Sequence, residues 1–362
     1  MITPEYLEQC PDRLVELYEQ AERDIIADIA RKISKYDFFV SSSEWQANKA
    51  KEMGMTHDEI LKRLSQATGQ TKTEIVKLLK ESGVKLSDAK LAQANINTLN
   101  AGLRRTLGTF DNLTKTTAIN GTRQISEALD RAYMQVTSGA FSQETAIKNA
   151  IVDLTRNGIE TYRYPHHTDY IDVVVRRAVR TGVNQTAAEI SLHNAEELKT
   201  DLVEVTAHDG ARPTHAEWQG KVYSISGNNK NYKKLSEATG YGSVTGLCGA
   251  NCRHSFYPFI EGSDRMYTDK ELKAMNEPVY EYNGQSMTEY EATQRLRYIE
   301  RQLRRWKREK AGMEAAGLPA DRAISKLKQW RNTQDDFLQQ TGLKRQYGRE
   351  NVVVNKVKNE ND

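Results

Sequence analysis

The chain has 362 residues, of which 38% are hydrophobic and 28% charged, and its 52 Lys+Arg against 49 Asp+Glu leave a net charge of +3. A mean hydropathy of −0.72 is polar but compatible with a packed core, and near-balanced charge excludes a histone-like polycation. Only 3 Cys exclude a disulfide scaffold, no apolar run is long enough for a membrane span, and the opening Met1–Tyr6 has neither a basic nor an apolar region, so no secretory leader is expected.

The first element is a long helix over 5–34, with Leu7, Leu14, Tyr18, Ala21, Ile25 and Ile29 on one face. Two shorter helices follow, opened by Thr56/Glu59 and Thr71/Glu74 as capping boxes and closed near Gly69 and Gly83. The second carries few side chains suited to base edges, which argues against a helix-turn-helix reader. Helical periodicity then covers 87–108, 111–138 and 142–157; Tyr162–His167 reads as a loop, and a strong helix spans 169–199. No strand is expected before residue 200.

The texture changes at Asp201. Leu202–Thr206 and Lys221–Ile225 alternate and are β-branched, glycines crowd the following loops, and Asn283-Gly284 is a hairpin-turn signal. Ala292, Leu296, Ile299, Leu303 and Trp306 form a heptad-like seam; after Gly317-Leu318-Pro319, a second face of Ile324, Leu327, Trp330 and Phe337 completes an antiparallel helical hairpin. The expected fold is mainly α with a small α+β module: a helical region at 1–160, a connecting helix at 161–200, a compact glycine-rich module at 201–285, the hairpin at 286–345 and a disordered tail at 346–362.

Chemistry-bearing residues concentrate in the module. His215, Cys248, Cys252 and His254 lie within 40 positions, with His208 as a reserve for His215. Four nitrogen and sulfur donors suit tetrahedral zinc, and a metal would brace a thin core, so a structural zinc is the candidate cofactor; buried thiols and imidazoles bonded to loop backbone are the alternative. His215-Ala-Glu217 with a later Cys pair only loosely matches a zinc deaminase, since the pair is C-x3-C and no Pro precedes Cys248. No catalytic residue is assigned. A second cluster, Arg297, Arg301, Arg304, Arg305, Lys307 and Arg308, is a candidate polyanion surface on the hairpin's first helix. The alternative pairs these cations with acids such as Asp335 and Asp336 across the hairpin.

The string His208-Asp-Gly-Ala-Arg212-Pro-Thr-His215-Ala-Glu-Trp218-Gln-Gly220-Lys221, then Gly246-Leu-Cys-Gly-Ala-Asn-Cys252-Arg253-His254 and Tyr280-Glu-Tyr-Asn-Gly284, resembles the tailed-phage minor capsid protein 2 family. That family is similar to the Mu F-like head morphogenesis proteins, whose core looks like Arg212, His215, Trp218, Gly220 and Lys221 with a closing Cys252-Arg253. The resemblance implies a virion component made in the host cytoplasm, located near the portal and aiding head morphogenesis, with packaging or delivery of the genome as a further role. Its implied partners are the portal protein, other capsid or scaffold proteins, and packaged double-stranded DNA. A zinc-dependent enzyme acting on nucleic acid and a plain DNA-binding factor are the rival functions.

Overall fold

The computed structural model describes residues 2–36, 38–86 and 93–350. Helix α1 (Pro4–Gln9) is capped by Thr3, whose hydroxyl accepts the Tyr6 N–H, and α2 (Asp12–Ile33) follows at once. The single helix expected over 5–34 is therefore two, because Pro11 has no N–H to give the Leu7 carbonyl, which accepts from Arg180 Nε at 2.7 Å instead.

Helices α3 (Ser42–Leu86) and α4 (Gln93–Thr137) are each 45 residues long, about 67 Å at the helical rise. They pack along one another. The two capped helices expected near 56 and 71 are thus parts of one helix. Thr56 and Thr71 face its packed side, and Thr71 Oγ1 donates back to the Ala67 carbonyl at 2.7 Å. Gly54 and Gly69 have open space where a Cβ would stand, so they sit on the outer face and stop nothing.

Helix α5 (Gln143–Asn157), capped by Ser142, leads to an antiparallel hairpin of β1 (Glu160–Arg163) and β2 (Thr168–Tyr170), where no strand was expected. Helix α6 (Ile171–Glu197) then runs through the middle of the molecule, touching α1, α2, α3 and α4 on one side and the next sheet on the other.

That sheet is three-stranded, antiparallel and ordered β4-β3-β5, from β3 (Leu202–Val205), β4 (Val222–Ser224) and β5 (Phe256–Phe259). The central β3 is buried on both faces, with Val203 opposite Tyr223 and Pro258. Two helical turns, α7 (Pro213–Ala216) and α8 (Leu235–Thr239), punctuate the long loops. After α9 (Asp269–Ala274), strands β6 (Tyr280–Tyr282) and β7 (Gln285–Met287) meet at Asn283-Gly284, where both residues have positive φ (50° and 76°), as a tight hairpin turn requires.

Helices α10 (Glu289–Ala315) and α11 (Asp321–Thr341) form the C-terminal hairpin. The full heptad seam from Ala292 to Trp306 is buried against Leu327 and Phe337, each Leu or Ile contributing ~1.5–3 kcal/mol. Ile324 departs from the expected face and is half-exposed. The other side of α10 packs on α2 and α5, so the hairpin is tied to the N-terminal helices. A short helix α12 (Tyr347–Glu350) lies within the stretch expected to be disordered, its Arg349 and Glu350 buried; residues 351–362 lie outside the described residues.

Candidate functional site

The end of β3, helical turn α7 and the loop from Gly240 to His254 converge behind α6. Three of the four expected metal ligands meet there: His215, Cys252 and His254 have ligand atoms within 4.8 Å of one another, all buried. His215 Nδ1 is 3.4 Å from His254 Nδ1, and Cys252 Sγ is 3.8 Å and 3.7 Å from those two atoms.

Cys248 does not join them. Its thiol donates to Asn184 Oδ1 at 3.6 Å and lies 3.7 Å from the His254 carbonyl, on the α6 side of the loop. Of the four expected residues, three stand within ligand distance of one another and Cys248 does not. Cys248 and Asn251 both have positive φ (58° and 59°), and a Cβ on Gly246 would stand 2.0 Å from the Gly240 carbonyl oxygen. This folding of the loop onto itself brings both thiols against the His254 carbonyl, at 3.7 Å and 3.6 Å, yet leaves Cys252 alone of the two beside the imidazoles, which the spacing C-x3-C cannot reveal.

The far nitrogen of each imidazole is fixed. His215 Nε2 lies 2.9 Å from the Thr245 carbonyl, which can only accept. His254 Nε2 lies 2.9 Å from Gln219 Oε1, and that oxygen also accepts the His208 backbone N–H at 3.1 Å, so the amide's orientation is set by the main chain. Both rings therefore carry their proton on Nε2 and aim an Nδ1 lone pair at the other. Burial holds both imidazoles below their ordinary range and pushes the Cys252 thiol up.

His208 stands outside the group of three. Its ring stacks on His254 with centroids 4.4 Å apart, and its Nδ1 is 2.7 Å from the Asp209 carbonyl. Burial takes it down to about 3. The remaining family-motif residues brace this arrangement. Trp218 packs on His215 and His254, with centroids 4.5 Å and 4.8 Å away. Arg212 donates to the Ala250 carbonyl and Arg253 to the Gly210 carbonyl, each at 3.1 Å. Gly220 has φ 65°, with Leu272 packed where a Cβ would go, and Lys221 donates to the Glu217 carbonyl at 2.6 Å. Glu217 itself is exposed and lines no part of the adjoining cavity, so the deaminase arrangement has no general acid/base in place.

One residue that sequence reasoning missed holds the site to α6. Asn184 is fully buried and donates to the carbonyls of Cys252 and His254 at 3.2 Å and 2.9 Å. It reads as a helix-face amide among polar neighbours, and only the tertiary docking of the loop gives it this role.

The arginine helix also departs from expectation. Arg304 donates to Asp172 at 3.1 Å and approaches Glu19 at 3.9 Å. Arg308 reaches Glu22 at 3.5 Å and the Thr155 carbonyl at 3.2 Å; Arg297 reaches Glu8 at 3.3 Å; Lys307 donates to the Glu350 carbonyl. The acidic partners come from α1, α2 and α6, not from Asp335 and Asp336 across the hairpin. Arg301 and Arg305 remain the more open members, lying against Tyr298 and Trp306. The helix is thus largely an internal strut, with most of its cations drawn into pairs inside the fold.

Within this network burial pushes Glu19 up to about 8, with Arg304 only partly opposing, while arginines hold Asp172 below its ordinary range despite burial. Between the ordinary 4.5 and about 8, folded Glu19 retains a proton that the unfolded chain releases. Its contribution is then complete below the ordinary value and is lost as pH rises through about 8, a swing of order a few kcal/mol. Glu19→Gln keeps the neutral form at every pH, so in urea-unfolding titrations its stability relative to wild type should rise with pH across that window. A constant difference would show that Glu19 is ionised in the fold throughout.

A family model described as phage minor capsid protein 2 matches residues 2–339, nearly the whole chain. The chain belongs to the phage minor capsid protein 2 family. It is similar to a structural protein of Lactococcus phage LL-H, 28% identical over 250 residues, which are 65% of this chain and 63% of that relative. It is also similar to a structural protein of Lactococcus phage mv4, 34% identical over 123 residues, 32% of this chain and 87% of the relative. The match thus spans under two thirds of the LL-H protein's length. No solved structure matches. Membership in this family of phage structural proteins places the protein in the virion, and no helix among the described residues is long and apolar enough to cross a membrane.

Proposed function

We propose that this minor capsid protein sits near the portal, where it contacts the portal protein and other capsid or scaffold proteins and aids head morphogenesis, with a further role in genome packaging or delivery. The observation that carries this reading is the family match over residues 2–339. The α3–α4 pair supports it: two helices of about 67 Å offer a long lateral surface for protein contacts, and Ile119 and Met134 of α4 stand well exposed on it.

The proposed role is structural, not catalytic. A zinc-dependent enzyme acting on nucleic acid has less support, because Glu217 lies away from the His215–Cys252–His254 group.

Quantitative mass spectrometry of purified virions tests the assignment. The chain should be present far below the major shell protein in copy number, and crosslinking should join it to the portal protein. Virions that lack the chain would overturn the assignment, and crosslinks confined to the outer shell would overturn the portal placement.

A further inference from the structure

The wall around His215, Cys252 and His254 opens on a cavity of about 350 Å³ whose lining carries eight arginines, among them Arg212, Arg253, Arg297 and Arg301, against two carboxyls, Asp172 and Glu300. Behind it, Glu8 alone serves Arg180, Arg253, Arg297 and Arg349. One carboxylate cannot neutralise four guanidiniums, so the cavity holds an excess of positive charge that the protein's own acids leave unmatched.

We propose that His215 Nδ1, Cys252 Sγ and His254 Nδ1 hold a zinc-class divalent cation whose fourth position faces this cavity and takes an oxygen of a phosphate group gripped by its arginines.

Three observations carry the metal. The first is size. Tetrahedral zinc with bonds of ~2.0–2.1 Å to nitrogen and ~2.3 Å to sulfur sets edges of ~3.3–3.4 Å between nitrogens and ~3.5–3.6 Å between nitrogen and sulfur. The separations here are 3.4 Å, 3.7 Å and 3.8 Å, so the three atoms already form one face of such a site. The second is the tautomer. Two Nδ1 lone pairs aimed at each other in a buried place repel unless something positive lies between them, and the one thiol proton beside them, on Cys252, has a competing acceptor in the His254 carbonyl at 3.6 Å. A cation would displace that proton to solvent and satisfy all three donors. The third is the outer shell. Metal-bound histidines donate their other ring N–H to a carbonyl or carboxylate, and both rings do so, to Thr245 and to Gln219.

The open fourth position follows from the same geometry. Cys248 is turned to Asn184 and His208 to the Asp209 carbonyl, so neither closes the tetrahedron. A divalent ion with two neutral imidazoles and one thiolate keeps one net positive charge, and beside it stand Arg212 and Arg253, of which Arg253 shares the Glu8 carboxylate, at 3.6 Å, with three other arginines. The occupant must therefore be an anion with oxygens to share between metal and guanidiniums, which is phosphate chemistry. Such a group could come from free phosphate or from a phosphate at a DNA end.

The test uses the full chain, prepared without a histidine tag and loaded with Co2+. One Co2+ per chain with a thiolate-to-cobalt charge-transfer band is expected. Cys252→Ser should abolish that band while Cys248→Ser keeps it, with circular dichroism confirming that each variant is folded. Should Cys252→Ser fail to fold, Cys248→Ser alone decides, because loss of the band there would mean that both thiols ligate and the site is closed. Inorganic phosphate should then perturb the cobalt d–d bands, and Arg301→Gln, at an exposed arginine of the cavity lining, should weaken that titration by about tenfold or more while leaving metal content unchanged. A duplex with 5′-phosphates acting at lower concentration than free phosphate, where a 5′-hydroxyl duplex does nothing, would assign the source to DNA ends; equal indifference to both duplexes would assign it to free phosphate. Absence of bound cobalt, or d–d bands unmoved by inorganic phosphate and by the 5′-phosphorylated duplex, would overturn the proposal.

Discussion

Arg304→Gln should cost about 3–5 kcal/mol, among the largest effects of any single polar substitution in this chain. The guanidinium is nearly buried between α10, α2 and α6, and Asp172 faces it at 3.1 Å with its own side chain only 13% exposed. Removing the cation leaves that carboxylate buried with more distant arginines as its support. The amide of glutamine can donate one hydrogen bond but supplies no charge. Urea unfolding followed by far-UV circular dichroism measures the loss. The companion variant Arg304→Met/Asp172→Leu separates an uncompensated charge from lost packing. If the charge dominates, the double variant recovers at least half of the single variant's loss; if it is as unstable as Arg304→Gln, the pair contributes mainly through shape. Arg301→Gln, on the exposed flank of the same helix, should change stability by less than about 0.5 kcal/mol.

The contrast between Arg301 and Arg304 shows what the sequence could and could not convey. The seam Ala292–Trp306 was legible because a period of three and four marks one helix face whatever that face meets. The charged face was not, since its partners Asp172, Glu19 and Glu22 lie more than a hundred residues away and α10 is enclosed on two sides. Asn283-Gly284 was legible because positive φ at two successive positions restricts the residue types. Helix α3 was misjudged for a related reason: Thr-x-x-Glu and glycine favour helix ends locally, but packing along α4 outweighs a propensity cost of about 1 kcal/mol per glycine. The β1–β2 hairpin escaped notice because its strands are four and three residues long.

At the site, residue types were legible and roles were not. Concentration of His and Cys in a glycine-rich stretch marked His215, Cys252 and His254 correctly as neighbours. Choosing between Cys248 and Cys252 required the left-handed backbone at Cys248 and Asn251, which reverses the loop's direction. Choosing between His208 and His215 required the stacking of His208 on His254. Both choices are set by backbone geometry that no spacing rule encodes.

Asn184→Ala should cost about 2–4 kcal/mol and release the 248–254 loop from α6. The buried Cys252 carbonyl loses its donor, the His254 carbonyl keeps only weak thiol contacts at 3.6 Å and 3.7 Å, and the Cys248 thiol loses one of its two acceptors. Each unsatisfied buried group is worth roughly 1–3 kcal/mol, partly relieved if water enters the space left by the amide. Asn184→Asp should be at least as damaging, because it keeps the acceptor for Cys248 but removes both donations and places a carboxylate where nothing is exposed. Hydrogen exchange on the full chain reads the consequence locally. The amides of Ala250 and Cys252, bonded to Val244 and Gly249 within the loop, should lose protection in Asn184→Ala, while those of the α10–α11 hairpin keep theirs. Uniform loss of protection throughout the chain would mean that Asn184 supports the global fold, and unchanged protection in the loop would mean that glycine packing alone holds it on α6.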